Sequence, residues 1–446
     1  MEAYLTLILF GGFILMLILG APITVSLAGA AMVSYLVLDK NPIALVQIAF
    51  TSVGNFPLMA LPAFVLAGAL MEAAGISKRL VDIAEHLAGP ITGGLGAATI
   101  IACVFFGSIS GSGPATTAAV GMLMIPAMVK RQYDRNYASA VTAASGGLGI
   151  LIPPSIPLVI FGISSMGLKP PAEAIALHGQ FASVSIPKLF VASVIPGLII
   201  AGSLITMNYF ISKKNGYKGL TDTWSFSDIG TVMKRGVWSL LAPILILGGI
   251  YSGIFTPTES AIIAVFYSLV VGFFIHKEMN IKQLFKSLST TTWITGRVLL
   301  ILFAATVFGR LLVEQRIPAM ITENLLSMTD SMHLIWLLMI GFLIFVGMFM
   351  ETLAAIMIIV PVLLPIMYML GADPTHVGIV VVAVLSIGFA TPPLGENIFV
   401  ASGIGGSSVE QITSRIHPFV IASVIGVIII AFFPQLTLWL PSLVGY

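Results

Sequence analysis

The chain has 446 residues, 58% of them hydrophobic and 9% charged, and a formal net charge of +2. Soluble domains carry about 25% charged residues, so this composition, with a mean hydropathy of +1.07, excludes a soluble globular protein. Strand-like alternation separated by turns is absent, so helices rather than a β-barrel satisfy the backbone in the bilayer, and the small net charge gives no sign of a nucleic-acid partner.

In chain order, apolar spacing predicts spans near 4–20 and 23–38, with Gly20-Ala21-Pro22 as the turn between them. The first lacks a basic n-region and a small-residue cleavage site, and is expected to be a retained span rather than a signal peptide. A span near 57–73 precedes an amphipathic stretch, 75–88. There Ile76, Leu80, Ile83, Ala84 and Leu87 share one face, and Lys78, Arg79, Asp82, Glu85 and His86 the other, as in an interfacial helix. Residues 278–289 and 316–329 look similar. Further spans are expected near 187–211, 236–254, 258–275, 291–313 and 417–438, with 212–235 as a polar link. The single cysteine, Cys103, lies in apolar sequence and is expected to be inert packing.

Two regions break this simple pattern. Residues 91–130 are apolar on both sides of Gly107-Ser108-Ile109-Ser110-Gly111-Ser112-Gly113-Pro114, which predicts a re-entrant hairpin with a non-helical tip. A span at 136–166 follows, broken at Ile152-Pro153-Pro154-Ser155-Ile156-Pro157, because paired prolines remove backbone donors and clash with the preceding turn. The same features return: a hairpin over 332–370 with its tip near Gly347–Thr352, then a span at 376–405 broken at Thr391-Pro392-Pro393-Leu394-Gly395-Glu396-Asn397. Gly68, Ile76, Gly107, Pro126, Asp134, Gly149, Pro153 and Pro154 recur as Gly309, Ile317, Gly347, Pro365, Asp373, Gly388, Pro392 and Pro393, offset by 239 to 241 residues.

A duplicated unit with interrupted helices is the mark of a secondary transporter with its site at mid-membrane depth. The expected fold is an all-α polytopic membrane protein: N-terminal scaffold spans (1–56), a first repeat (57–166), linking spans and a cytoplasmic loop (167–296), a second repeat (297–405) and a C-terminal span (406–446). If each hairpin returns to its own side, 15 of the 20 Lys and Arg fall on one face, Arg297 among them at a span edge. The positive-inside rule makes that face cytoplasmic, puts both termini outside and inverts the repeats relative to one another.

Chemistry concentrates at the breaks. The first tip offers hydroxyls and carbonyls released from helical bonding, a set that can hold a cation without a carboxylate; Gly149 and Ser155 add to it from the first break. Gly388, Thr391, Gly395, Asn397 and Thr352 fill the same role in the second copy. Against this stands a plain small-residue helix crossing. Glu351 and Glu396 flank the second copy's breaks, where an acid is costly and functional by default; Glu351 has the alternative of capping its helix, and Glu259 reads as a cap. No histidine has a second ligand at metal spacing, and no Walker A sequence, HExxH or other catalytic constellation is present.

The segments Gly107–Thr116, Ile152–Pro157 and Thr391–Gly395 closely resemble the large membrane subunit of tripartite ATP-independent periplasmic (TRAP) transporters, the DctM-like or SiaM-like family, over essentially the whole chain. The resemblance implies an elevator-type transporter in the bacterial inner membrane, with Na+ as coupling ion and a small organic acid, of C4-dicarboxylate or sialic acid type, as cargo. It implies two partners, a small four-helix membrane subunit, expected as a separate chain, and a periplasmic substrate-binding protein. Carried over by motif, one sodium site falls on Ser108, Ser110, Gly111, Ser112, Gly149 and Pro153. A second falls on Gly347, Thr352, Gly388, Thr391 and Gly395. Substrate is expected near Ser110, Ser155 and Asn397, held by oriented N–H groups, since neither tip nor break carries Arg or Lys. The rivals are a stand-alone sodium-coupled divalent-anion symporter, a channel and, last, an intramembrane enzyme.

Overall fold

The computed structural model describes residues 2–446 apart from 55, 167, 222 and 330, and among these there are helices but no strand. Helices α1 (Glu2–Ile18) and α2 (Ile23–Val37) pack together about a turn at Gly20, followed by α3 (Ile43–Val53), which apolar spacing alone does not separate. Helix α4 (Ala60–Ala73) turns through 71° at Gly75 into α5 (Ile76–Ala88). The predicted apolar face of α5 is buried at Ile76, Leu80, Ile83 and Ala84, against α6 (Gly94–Ser110).

Helices α6 and α7 (Gly113–Lys130) form the first hairpin, and its tip is shorter than expected. Ser108 and Ser110 remain in the last turn of α6, because serine hydroxyls can bond back to helical carbonyls; Ser108 does so to Phe105 at 2.6 Å. Gly111, at φ +61°, ends the helix, and Ser112 caps α7. The broken span consists of α8 (Arg135–Gly146), α9 (Leu148–Leu151) and α10 (Ile156–Met166), bent by 42° across Ile152–Ser155. Cys103 is buried as a free thiol.

After α11 (Ala172–His178), α12 (Ile186–Asn215) runs against α6, α20 and α22. Its Asn208 accepts from the Tyr137 hydroxyl at 2.5 Å and donates to the Gly93 carbonyl at 3.2 Å, both buried. Asn208→Ala removes both bonds, leaving the Tyr137 hydroxyl only Ser212 Oγ at 3.3 Å and the Gly93 carbonyl only the Ala97 N–H at 3.0 Å. A cost of about 1–3 kcal/mol is expected, read as a lower melting temperature of the detergent-purified protein; an unchanged transition would show this contact to be idle.

The polar link contains α13 (Phe226–Arg235), set at 69° to α14 (Val237–Tyr251). Helix α15 (Pro257–Val270) opens with a capping box between Thr256 and Glu259, as read from sequence, and continues as a π-turn over Val271–Ile275. The interfacial stretch and the following span, expected as two elements, are one 34-residue helix, α16 (Ile281–Glu314). Asn280 and Gln283 cap its start, and no proline interrupts it. At 1.5 Å per residue it is about 51 Å long, more than the hydrocarbon core of about 30 Å. Arg297 sits halfway along it.

The second copy continues with α17 (Ile317–Met328), the hairpin α18 (Met332–Phe349) and α19 (Thr352–Met369), and the broken pair α20 (Pro374–Gly388) and α21 (Glu396–Gly405). Helix α22 (Val409–Phe432) ends before Pro434, and α23 (Gln435–Val444) follows, so the last apolar stretch is two helices.

The copies agree in detail. Gly75 and Arg316 take the same left-handed conformation before α5 and α17. Asp134 and Asp373 cap α8 and α20 by accepting from the second residue on, at 2.9 and 2.7 Å. Each hairpin's first arm crosses its broken helix at a glycine pair. A Cβ on Gly107 would lie 3.0 Å from the Gly149 Cα, and one on Gly347 3.2 Å from the Gly388 Cα. The copies also interlock: α10 packs on α19, and α21 packs on α7. Such reciprocal exchange is what a two-fold relation between repeats produces.

Candidate functional site

The first tip rests directly on the first break. Ser110 Oγ lies 2.8 Å from Thr116 Oγ1, and Thr116 donates to the Ser112 carbonyl at 2.8 Å. A Cβ on Gly149 would come within 2.2 Å of Thr116 Oγ1 and 2.6 Å of the Ser112 carbonyl oxygen. One on Gly111 would come within 2.9 Å of the Pro154 carbonyl. Glycine at both positions thus lets hydroxyl and carbonyl oxygens from two separate segments meet. Hard cations favour such neutral and anionic oxygens. Thr116 belongs to this cluster although the candidate set omitted it. Its signal was the four-residue spacing from Ser112, which places a hydroxyl one turn beyond the cap. Ser108, by contrast, spends its hydroxyl on its own helix.

In the second copy, Thr391 donates to the Ile387 carbonyl at 2.7 Å, and the Asn397 backbone N–H donates to the Phe389 carbonyl at 3.1 Å, folding 389–395 back on itself. Gly395 is needed there, since a Cβ would sit 2.5 Å from the Phe389 carbonyl oxygen. Asn397 is fully buried; its Nδ2 donates to the Ala143 carbonyl at 3.0 Å, and its Oδ1 has no hydrogen-bond partner. This residue ties the second break to α8, with Gly113, at the start of α7, close by.

Ser155 is also buried, and its hydroxyl bonds to the Ile150 carbonyl and accepts from the Leu158 N–H at 3.3 Å. It bridges the break and caps α10, as proline-interrupted backbone requires.

A cavity of about 340 Å³ lies between α4, α16 and the two tips. Of the sequence candidates, Ser110, Gly111, Ser112, Glu351, Thr352 and Glu396 line it. Ser155 and Asn397, expected beside the substrate, pack behind this lining, as do Gly149, Gly347, Gly388 and Thr391. Sequence reasoning missed two charged members, Glu72 from α4 and Arg297 from α16. The absence of Arg and Lys from tips and breaks holds, but the cation arrives from a neighbouring helix. Glu351 occupies the N-cap position of α19, yet its side chain makes no capping hydrogen bond there and its Oε2 is buried without a partner. Three helix N-termini, those of α7, α19 and α21, contribute to the same cavity and bring positive dipole ends to it.

Residues 10–436 match the family model described as tripartite ATP-independent periplasmic transporter, DctM component. The isethionate TRAP transporter permease protein DctMQ of Oleidesulfovibrio alaskensis is 39% identical over 97% of this chain, which spans 66% of that protein's length. The sialic acid TRAP transporter large permease protein SiaM of Vibrio cholerae is 36% identical over 98% of each chain. The C4-dicarboxylate TRAP transporter large permease protein DctM of Rhodobacter capsulatus is 33% identical over 98% of this chain and 99% of its own. Among solved structures, the Alcanivorax borkumensis YdaH transporter shares the fold, with a TM-score of 0.62 at 15% identity, covering 90% of this chain and 89% of its own. By sequence, this polytopic chain belongs to the DctM component family of the TRAP transporters.

Proposed function

We propose that this chain is the permease of a sodium-driven importer of a small organic acid. It works in the inner membrane with a separate small membrane subunit and a periplasmic binding protein that delivers the cargo. The observation that carries the reading is the approach of Gly149 to the Ser112 carbonyl and the Thr116 hydroxyl. The carbonyl of the tip and a hydroxyl of α7 face the glycine of α9 there, just before the break and beside a cavity of small-molecule size. The proposed first sodium site is formed by Ser110, Gly111, Ser112, Gly149 and Pro153, with Ser108 in the turn behind and Thr116 added. Gly347, Thr352, Gly388, Thr391 and Gly395 form the second. Sodium bound at the tips orders the cavity wall and so favours the acid, and the acid favours sodium by the same factor. Hairpins and broken helices move as one body past a scaffold that includes α4 and α16, with both termini on the periplasmic face.

Uptake in proteoliposomes tests this. Sodium-gradient-driven accumulation is expected only when the small subunit and the binding protein are supplied. Full transport by the chain alone makes it a stand-alone symporter, and non-saturable flux without sodium makes it a channel. Ser110→Ala and Thr391→Ala are each expected to raise the sodium concentration for half-maximal uptake about tenfold, the loss of one charge-assisted contact. Wild-type sodium dependence in both variants overturns the site map.

A further inference from the structure

The cavity holds charges of both signs, and among the described residues they do not pair. Arg297 makes no ion pair within 4 Å; its guanidinium lies over the Trp293 ring, 5.9 Å from the centroid. Glu351, Glu396 and Glu72 make none either, although Glu396 acts electrostatically on Glu351, Arg297 on both of these, and Lys286 on Glu72. Charges kept in a membrane protein for structure are paired, since an isolated ion in a low-dielectric site is costly. Here one cation and three carboxylates share a cavity unpaired, and a carboxylate oxygen of Glu351 is buried without a partner.

A dicarboxylate would meet Arg297 once and carboxylates three times. Its second acid group would face like charge, which disfavours binding. An ammonium group in that position converts each repulsion into a charge-assisted hydrogen bond. The wall also contains the aromatic rings of Trp293 and Phe389; aromatic faces attract cations, and that of Trp293 already holds Arg297.

We infer that the cargo is a small zwitterion, its ammonium group held by Glu351 and Glu396 of the moving body and its acid group met, in the arrangement seen here, by Arg297 of the scaffold. This rests on the transport reading above and names the substrate class within it.

Matched probes isolate the claim. Taurine and isethionate differ by an amine against a hydroxyl on the same two-carbon sulfonate; β-alanine and succinate exchange an amine for a second acid. Equilibrium binding to the full chain in lipid nanodiscs, with sodium present, is expected to favour the amine of each pair by about tenfold or more, the worth of one charge-assisted bond. Arg297→Gln weakens both members of each pair. The Glu351→Gln, Glu396→Gln double variant abolishes the amine preference without weakening isethionate. Glu396→Gln alone, which leaves the buried Glu351 in place, reduces the preference if the double variant fails to fold. Equal or tighter binding of isethionate and succinate to the wild-type chain overturns the inference while leaving the transporter reading standing. No binding of any of the four overturns the inference as well, and the uptake assay above then decides the transporter reading by itself.

Discussion

Gly149→Ala is expected to lower sodium-driven uptake about a hundredfold, the scale on which small displacements at a working site act. The added methyl would sit 2.2 Å from Thr116 Oγ1 and 2.6 Å from the Ser112 carbonyl oxygen. The hydroxyl can rotate away, but the carbonyl belongs to the backbone of the tip, so the tip itself must move. Gly202→Ala is the matched control. That glycine lies within α12, its added methyl would meet nothing within 4 Å, and helix propensity favours alanine. Full uptake by Gly202→Ala beside near-zero uptake by Gly149→Ala, at equal expression, assigns the loss to the tip. Normal sodium dependence in Gly149→Ala removes the basis for the first cation site.

The second large effect is expected at Asn397. Asn397→Ala removes the bond to the Ala143 carbonyl and leaves that carbonyl buried, at about 1–3 kcal/mol. Asn397→Asp does more. It sets a carboxylate oxygen against a carbonyl oxygen at a fully buried position, and an uncompensated buried charge costs about 3–5 kcal/mol. The melting temperature should fall in the order wild type, Ala, Asp, and uptake should vanish in the last. A melting temperature of Asn397→Ala equal to that of wild type would show that amide donation to Ala143 is not what holds the second break to α8.

Both predictions depend on features legible in the chain at different depths. Interruptions were plain, because proline pairs and glycine-serine clusters state where a helix cannot continue: Pro153-Pro154 and Pro392-Pro393 both fall in observed breaks. Caps were nearly as plain, as at Glu259. Tip length was not. Serines stay helical when their hydroxyls find a carbonyl one turn back, and Ser108 does. The start of α16 was misread because its amphipathic first turns look like a separate interfacial helix, while its continuity depends only on the lack of a breaker. Side-chain roles across segments were least legible. Ser155 resembles a ligand in the sequence, yet it serves as a cap. Arg297 resembles a border charge, and that it also lines the cavity depends on which distant segments α16 packs against. Periodicity says which face a residue takes, not which distant segment that face will meet.

The interlocking of the copies bears on how the protein is made. Ala143 and its partner Asn397 are 254 positions apart. When α7 and α8 leave the ribosome, the helix that will cover them has not been synthesised, and it arrives only with the last tenth or so of translation. The early half must therefore wait in the bilayer with its polar seam open, and a chain ended before residue 397 has nothing to close it.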